Sequence, residues 1–510
     1  MRPRRFRRPL SVLCALVLAA VVVPATASGA VSTDLGSAQR ATLLGYARDT
    51  WASFVAMTDA GSGLPADSLE ADGTASVQTS TTNIGAYMWS AVVAERLGII
   101  NHAEIVARLG KTLHSLETME RDQTIGADGR PSGQYYNWYD HTTGAKLTVW
   151  PPSGQPLKPI LSSVDNGWLA TGLQVVSNTV PELSARAKTL FDGMDFGFYY
   201  RPSANRIAFY WASPTDSPCC YDTIVSESRI SSYIGIATGT IPSKEYFGAW
   251  RTFPNSCDWN WQETKPIGFN KTYLGVNVFE GAYPYENFRV VPGWGGSMFE
   301  ALMPALFVPE EQWGPRSWAI NHPLTVAAQI HHGLVDAGYG YWGFSPSNIP
   351  EGGYNAYGVD AIGMNPEGYP SNEDNTYVDH GFAGCGRDPK PDPAPSAYTN
   401  GVVTPHAAFL ALRWAPGPVL DNLAKLKSNF NIYDKWGFHD SVNVGTGAVS
   451  NSYLSLDQGI IMAAIGNALA NDVLRNAFAT KTFRKALQPV IGMETFNAGP
   501  RDAAESILNP

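Results

Sequence analysis

Six segments of this chain share one design, in which a polar or acidic residue stands just ahead of, or inside the first turn of, an apolar helix-like run. The segments are 81–98, 162–176, 226–239, 296–307, 403–414 and 455–469. Helix N-termini favour carboxylates because unpaired N–H groups and the helix dipole point there. One such start is only a cap. Six of them, 52 to 107 residues apart, predict a ring of helices whose starts converge on one polar site.

Between these segments the apolar spacing predicts plainly amphipathic helices. These outer helices are expected at 38–58, 101–120, 181–194, 318–336, 418–429 and 473–484. Six inner and about six outer helices predict an all-α fold, the (α/α)6 toroid; an ordinary α-rich protein with well-capped helices is the alternative. Alternation over 196–211 predicts a β-hairpin. The stretch 259–291 is expected to be irregular with short strand-like pieces, and 337–400 to be a long loop.

The first 30 residues read as a secretory signal peptide. Five arginines precede a short apolar run and small residues, which predicts cleavage after Ala27 or Ala30. A membrane anchor is the alternative, but the run is short for a bilayer. We therefore expect a secreted, soluble protein with a single domain over 31–510. Losing five arginines takes the net charge from −9 to −14, which disfavours binding to nucleic acid or anionic membranes.

Four cysteines remain after such cleavage: Cys219, Cys220, Cys257 and Cys385. An exported protein favours disulfides, of which two are possible here. A bond between the adjacent Cys219 and Cys220 is disfavoured by strain, so each is expected to pair with Cys257 or Cys385. A metal site is the alternative, but no CxxC or HxxxH spacing supports one.

Aromatic residues are abundant and many stand in polar loops. The chain has 15 Trp and 23 Tyr, often beside Gly, Asn, Asp or Pro, as in the loop YYNWYDH at 135–141. Some of these must be core residues. Rings in polar loops also offer flat apolar faces with a polar tip, which suit the C–H faces of sugars. Together with export and acidity, this composition indicates a carbohydrate-active protein.

Four carboxylates near the predicted helix starts are candidates for chemistry: Asp165, Glu227, Glu300 and Asp457. Glycoside hydrolysis needs two carboxylates across the scissile bond. Glu300 has apolar neighbours, which would raise its pKa as a general acid requires. The simpler alternatives are an ion pair for Glu227, a satisfied core acid for Glu300, and helix caps for the two aspartates. No GxSxG, Rossmann or P-loop pattern is present.

Several of these segments resemble one known family. Seven stretches resemble, in this order, motifs of the glycoamylase-like family, which includes endo-β-1,2-glucanases and the cyclizing domain of cyclic β-1,2-glucan synthases. They are TTNIGAYMWSAVVAERLGII, YYNWYD, SSVDNGWLATGL, SESRISSYIGIATGTIP, WGGSMFEALMP, GVVTPHAAFLAL and SLDQGIIM. The resemblance covers about 39–467. It implies an (α/α)6 barrel that acts on glycosidic bonds without a metal or organic cofactor. It also implies that Glu227 and Glu300 match the family's catalytic glutamates.

The combined expectation is a secreted, monomeric glycoside hydrolase that acts on a β-linked glucan or related polysaccharide. Glu300 is expected to be the general acid, and Glu227 the second carboxylate, either nucleophile or acid depending on the stereochemistry. Asp165 and Asp457 are expected to position water or sugar hydroxyls. The residues expected to bind the glycan are Asn83, Trp138, Tyr139, Asp140, Trp168, Arg229, Trp294 and Trp342. SESR and ALMP depart from the family's SEAR and YLMP. The alternatives are a non-catalytic glycan-binding protein, a transglycosylase and a polysaccharide lyase.

Overall fold

The structure, a computed structural model, describes residues 35–253, 264–364, 394–399 and 401–510, all within one compact unit, Thr33–Pro510. The described residues are mainly helical. Their α-helices are α1 (Ser37–Met57), α2 (Thr81–Arg96), α3 (His102–Thr118), α4 (Ser163–Thr179), α5 (Ser184–Asp192), α6 (Arg229–Thr238), α7 (Met298–Leu302), α8 (Glu310–Trp313), α9 (Trp318–His331), α10 (Pro405–Leu410), α11 (Pro416–Asn429), α12 (Ser455–Leu469), α13 (Val473–Phe478), α14 (Lys481–Ile491) and α15 (Glu505–Leu508).

All six segments predicted as inner helices form helices, namely α2, α4, α6, α7, α10 and α12. They pack on one another as α12–α2–α4–α6 and as α7–α10–α12. A hydrogen bond of 2.8 Å from Arg229 Nη1 to the carbonyl of Glu300 joins the start of α6 to α7. In α2 every residue over 81–94 is buried, as expected of a helix that is apolar on all sides.

Helices α2 and α4 approach closely at two glycines. A Cβ atom on Gly172 would lie 2.8 Å from Gly85 Cα, and one on Gly85 would lie 2.4 Å from the carbonyl oxygen of Trp168. No other residue type fits such a crossing without a shift of the backbone. The close approach brings the first turns of the two helices together, so that Thr82 Oγ1 lies 2.5 Å from Asp165 Oδ1.

The amphipathic helices cover this inner set. Helix α1 packs on α2 and α12, α3 on α2, α5 on α4, α9 on α7, α11 on α10, and α14 on α6. Helix α3 shows the reason, since Ile105, Leu109, Leu113 and Leu116 form one buried face. The single helix predicted over 473–484 is wrong. The chain breaks there into α13 and α14, because Thr480 caps α14 by accepting a hydrogen bond from the N–H of Phe483.

The strands are short except for one sheet. They are β1 (Ser68–Glu70), β2 (Gln78–Ser80), β3 (Trp138–Asp140), β4 (Val149–Trp150), β5 (Gln155–Pro156), β6 (Leu161–Ser162), β7 (Tyr200–Arg201), β8 (Arg206–Ile207), β9 (Tyr210–Trp211), β10 (Ile267–Tyr273), β11 (Val276–Tyr285), β12 (Phe288–Val290), β13 (Gly293–Trp294), β14 (Ser347–Asn348), β15 (Tyr354–Asn355), β16 (Gly363–Met364), β17 (Val402–Val403), β18 (Tyr433–Asp434), β19 (Gly437–Phe438), β20 (Val442–Asn443) and β21 (Ser452–Leu454). Strands β10, β11 and β12 form an antiparallel sheet, and the others pair in twos.

Short strand pairs fix the starts of the inner helices. Strands β2, β6 and β21 end at the residue directly before α2, α4 and α12. Each of the three pairs antiparallel with a strand from another loop, β2 with β3, β6 with β9, and β21 with β1. The loops at this end are therefore hydrogen-bonded to the helix starts that they surround.

Two predictions for the irregular regions need correction. The predicted hairpin over 196–211 is shorter, because β7 pairs with β8 while β9 pairs with β6. In the stretch 259–291, expected to be irregular with short strand-like pieces, the strands are longer and form the β10–β11–β12 sheet. Strand β10 is exposed along most of its length, so its sequence lacks the alternation of apolar and polar residues that marks a half-buried strand.

The cysteines also differ from expectation. The sulfurs of Cys219 and Cys220 are bonded to each other across a cis peptide bond, which contradicts the prediction that each pairs elsewhere. Cys257, Cys385, residues 1–34 with the predicted signal peptide, and most of the predicted loop 337–400 lie outside the described residues. Among the described residues, no helix is long and apolar enough to cross a membrane.

Candidate active site

The same serine cap begins three of the inner helices. In each case the Ser Oγ accepts a hydrogen bond from the backbone N–H three residues later, as Ser80–Asn83 (3.1 Å), Ser162–Asp165 (3.3 Å) and Ser297–Glu300 (3.4 Å). The residue that donates this bond lies in the first helical turn. The cap therefore sets a polar side chain at the start of each helix.

Glu227 and Glu300 form the centre of the site. The backbone N–H of Glu227 donates to Glu300 Oε2 at 2.7 Å, and the indole Nε1 of Trp168 donates to Glu227 Oε2 at 2.5 Å. Both glutamates are partly exposed, whereas Trp168 is fully buried behind them. The site thus has two adjacent carboxylates, fixed by protein donors and open on one side.

The two glutamates differ in how strongly they hold a proton. Burial, followed by the charge of Glu300, raises the pKa of Glu227 well above its usual value. Burial raises the pKa of Glu300 to about 7, against hydrogen bonds from the Glu227 N–H and Ser226 and the charge of Arg229. The charge of Glu300, when present, therefore favours the protonated form of Glu227.

Arg229 lies in the core and does not face the open side of the site. Its guanidinium pairs with the buried Glu310, with Nε to Oε1 at 2.7 Å, and donates to the carbonyls of Ser226, Glu300 and Ala301 at 2.7–2.8 Å. The prediction that Arg229 binds substrate directly is wrong for this reason. Arg229 instead ties together the two chain segments that carry Glu227 and Glu300.

Glu310 is a buried anion. Burial alone would raise its pKa, but the charge of Arg229 and hydrogen bonds from His322 and Arg229 hold the pKa of Glu310 at about 2. His322 Nε2 lies 3.0 Å from Glu310 Oε2, and the Tyr233 hydroxyl donates to Oε1 at 2.6 Å. The Arg229–Glu310 pair is thus fully hydrogen-bonded, as a buried ion pair requires.

Asp165 lies beside the glutamate pair on α4. Its Oδ1 accepts from Thr82 Oγ1 at 2.5 Å. With the Asn137 amide assigned so that its nitrogen faces Asp165, that nitrogen donates to Oδ2 at 2.9 Å and its oxygen accepts from Trp138 Nε1 at 3.0 Å. Burial raises the pKa of Asp165. The charge of Asp165 also raises the pKa of Glu227, so the two carboxyls belong to one site.

Asp67, which the sequence analysis did not identify, extends this acidic group. Asn83 Nδ2 donates to Asp67 Oδ1 at 2.8 Å, which gives the predicted residue Asn83 a positioning role, because it is buried. Burial raises the pKa of Asp67, and the charge of Asp165 adds to that effect. The sequence signal was present but weak, since Asp67 stands in a loop rich in Gly, Ser and Asp.

A second carboxyl group surrounds the start of α12. The Asp457 and Asp440 carboxyl groups lie side by side, close enough to share one proton, and His406 Nδ1 lies 3.1 Å from Asp457 Oδ2 and 2.8 Å from Thr404 Oγ1. All three titratable side chains are buried. Burial raises the pKa of Asp457 to about 7 and of Asp440 well above its usual value, and lowers that of His406 to about 4.

The ligand atoms of His406, Asp440 and Asp457 lie within 4.8 Å of one another, a spacing that a cation could occupy. A shared proton satisfies the contact between the two carboxyls equally well, because one protonated carboxyl donates to the other. His406 stands at the start of the predicted segment 403–414, so the opening pattern already contained it. Asp440 follows an aromatic pair in a loop and gave no such signal.

Tyr354 lies between the two groups. Strand β15 places it opposite Asn348, whose N–H donates to Asp440 Oδ2 at 2.6 Å. Desolvation, then the charges of Asp457, Asp440, Glu227 and Asp67, holds the pKa of Tyr354 well above its usual value. Its side chain is nevertheless 58% exposed. Tyr354 therefore presents an exposed ring close to carboxyls of both groups.

The remaining predicted residues divide by burial. Tyr139 and Trp342 are buried, and the Tyr139 hydroxyl donates to the Glu120 carbonyl, so neither offers a face to a sugar. Asp140 caps a turn through Thr142 and Thr143. Trp138 and Trp294 are half-buried and remain available as walls.

Comparison with known proteins shows the family to which the chain belongs. The glycoamylase family, described as "Putative glucoamylase", matches residues 225–482, just over half of the chain, and the chain belongs to this family. A family of unknown function, DUF3131, matches residues 45–196. The family match spans Glu227, Glu300, His406, Asp440 and Asp457.

One curated relative is cyclic β-(1,2)-glucan synthase NdvB of Rhizobium meliloti, 27% identical over 318 residues, which are 58% of this chain and 9% of that protein. The chain therefore spans only about a tenth of this relative. Among solved structures, the endo-β-1,2-glucanase of Chitinophaga pinensis aligns at a TM-score of 0.61 and 17% identity, over 88% of this chain and 98% of that one. The β-1,2-glucanase of Parabacteroides distasonis aligns at 0.63 and 17%, over 89% and 60%. At these identities the likeness shows a shared fold.

Proposed function

We propose that this chain is a secreted glycoside hydrolase that cleaves a β-1,2-linked glucan or a related β-glucan, and that its helices form an (α/α)6 toroid. The observation that carries the proposal is the Glu227–Glu300 pair, two adjacent and partly exposed carboxyls with raised pKa values at the starts of two inner helices. Two carboxyl groups of different proton affinity are what glycosidic cleavage requires. Family membership and the β-1,2-glucanase fold support the reaction and the linkage.

The sequence left Glu227 open as nucleophile or acid and favoured Glu300 as the general acid; the roles proposed here make Glu227 the acid instead. Glu227 is the general acid, because the charge of Glu300 holds its proton. Glu300 is the anion, because it accepts the Glu227 N–H and lies in the first turn of α7, where a negative charge is favoured. In this role Glu300 stabilises positive charge that develops on the sugar, or attacks it directly. Trp168 orients the acid by its hydrogen bond.

The test is hydrolysis of linear β-1,2-glucan by the purified protein, alongside other β-glucans, with analysis of the products. We expect Glu227→Gln and Glu300→Gln to lose at least about a thousandfold in kcat, because each removes a group that acts on the reacting bond. The matched control is Glu245→Gln. Glu245 is a buried glutamate, and burial raises its pKa to about 7. It accepts a hydrogen bond from Ser232, on another face of α6. That variant should keep the wild-type activity.

If both active-site variants hydrolyse the glucan like wild type, the assignment of the pair is wrong. If wild type binds glucan without cleaving it, the protein is a binding protein. A second candidate, transglycosylation, is favoured by the synthase relative, whose name specifies a cyclic product. Cyclic rather than linear products would select it. Export is tested by N-terminal sequencing of protein recovered outside the cell, with a start at residue 28 or 31 expected.

A further inference from the structure

The Asp440–Asp457 contact is the feature of the site that the proposed reaction does not yet use. Two carboxyl groups can lie in hydrogen-bond contact only when a proton or a cation stands between them, since two bare carboxylates repel each other. Both residues are at least 95% buried, so water cannot screen that repulsion. Among the described residues, Asp440 Oδ1 accepts no hydrogen bond, and His406 Nδ1 lies 3.1 Å from Asp457 Oδ2.

The surroundings decide which carboxyl keeps the proton. Asp440 Oδ2 is occupied by the N–H of Asn348, and its other oxygen is free to carry a proton toward Asp457. The groups that face Asp457 are Asp440, His406 on α10, Asp67 before β1 and Tyr354 on β15. Burial keeps His406 neutral at ordinary pH, so it supplies no full positive charge to the pair. One proton must therefore stay within the pair when Asp457 ionises.

Resting on the function proposed above, we propose that Asp440 is a positioning residue that retains one proton and donates it as a hydrogen bond to Asp457. Asp457 is then the single carboxylate of the pair, and it accepts a hydrogen bond from a water molecule or a sugar hydroxyl in the cleft beside Tyr354. Asp440 does not touch the substrate. The hydrogen bond from Asp440 allows Asp457 to ionise although Asp457 is buried.

The first test separates two substitutions at one position. Asp440→Asn keeps a donor toward Asp457 and an acceptor for the Asn348 N–H, whereas Asp440→Ala removes both. Loss of the donor raises the pKa at which Asp457 ionises, from about 7 in the wild type, by about one unit. The activity of Asp440→Ala relative to wild type should then fall about tenfold at pH 6 and less than about twofold at pH 9. Asp440→Asn should keep the wild-type pH profile.

A merely structural role for Asp440 predicts a different result. Damage to the fold lowers activity by the same factor at every pH and is not repaired by Asn specifically. A ratio between Asp440→Ala and wild type that does not change with pH, or an Asn variant as impaired as the Ala variant, overturns the proposal. So does one bound divalent ion per chain, found by metal analysis, whose removal reproduces the Asp440→Ala defect.

The second test does not depend on activity, and it also serves if Asp440→Ala does not fold. The pKa of Asp457 is raised in the folded state, so its contribution to stability is full at low pH and is lost as the pH rises to about 7. Between pH 4.5 and 7.5 the wild type should therefore lose more thermal stability than Asp457→Asn. Equal losses overturn the proposal. If wild type cleaves no glucan but this difference is present, only the proposed function fails.

Discussion

The hydrogen bond from Trp168 to Glu227 gives the sharpest test of which glutamate is the acid. The indole Nε1 lies 2.5 Å from Glu227 Oε2 and has no access to water. Trp168→Phe deletes this donor and keeps most of the ring. The bond favours the ionised form of Glu227, so its loss raises the pKa of that carboxyl further.

The size of the shift follows from the strength of the bond. A hydrogen bond to a charged group contributes about 1.5–3 kcal/mol, and one pH unit corresponds to about 1.36 kcal/mol. Because the neutral acid also accepts this bond, the difference between the two forms lies at the lower end, which is about one pH unit. The variant also loses about 1–2 kcal/mol of stability, since a buried ring becomes smaller.

The assay is the pH dependence of kcat/KM on the cleaved glucan, which reports ionisation of the free enzyme. If Glu227 is the acid, activity declines as the pH rises through its pKa, and Trp168→Phe moves that decline upward by about one unit. If Glu227 acts instead as an anion, the rise on the acid side moves upward. The two outcomes assign opposite roles to the same residue.

Trp89 provides the matched control. It is another fully buried tryptophan, its ring lies 6.1 Å from that of Trp168, and its Nε1 donates to the carbonyl of Gly459 at 2.9 Å. Trp89→Phe should lose similar stability without moving either limb of the profile. The reasoning is refuted if Trp168→Phe leaves both limbs in place, or if Trp89→Phe moves them equally.

Two further predictions concern the supports of the site. Arg229→Met leaves the Glu310 charge buried without its partner and should lower the free energy of unfolding, measured by chemical denaturation, by about 3–5 kcal/mol. The double variant Arg229→Met with Glu310→Gln should lose less. A double variant as unstable as the single one would contradict this account. Tyr354→Phe should leave the melting temperature unchanged because the side chain is exposed. It should lower kcat/KM about two- to tenfold, because one hydrogen bond to the glycan is lost. Unchanged kinetics would mean that Tyr354 does not contact the glycan.

The inner helices were predictable because local chemistry repeats there. A serine three residues before Asn83, Asp165 or Glu300 is a cap that sequence alone reveals, and the apolar run behind it predicts burial. Helix α6 shows the limit of that pattern. It begins at Arg229, so Glu227 precedes the helix and is held by Trp168 rather than by a cap.

The partners of these residues were not predictable, because they come from distant loops. Asp67 and Asp440 stand next to short strands and Tyr354 lies in one, and the pairing of these strands depends on the whole fold. Asp440 enters the site because β19 and β20 flank it and because Asn348, 92 residues away, donates to it. The local sequence around Asp440 gives no sign of such a contact. Asp457 could therefore be identified from the sequence, but its partner Asp440 could not.

The aromatic residues show how a correct composition argument can select the wrong side chains. Tryptophan beside glycine or asparagine suggested a sugar platform, yet the Trp168 and Trp342 rings are buried, and the Trp168 indole N–H donates to Glu227. A ring can serve a sugar only if a face stays open. Trp138, Trp294 and Tyr354 meet that condition. Trp138 also reaches Asp165 through the Asn137 amide, so the ring that could stack on a sugar is tied to a carboxyl of the site.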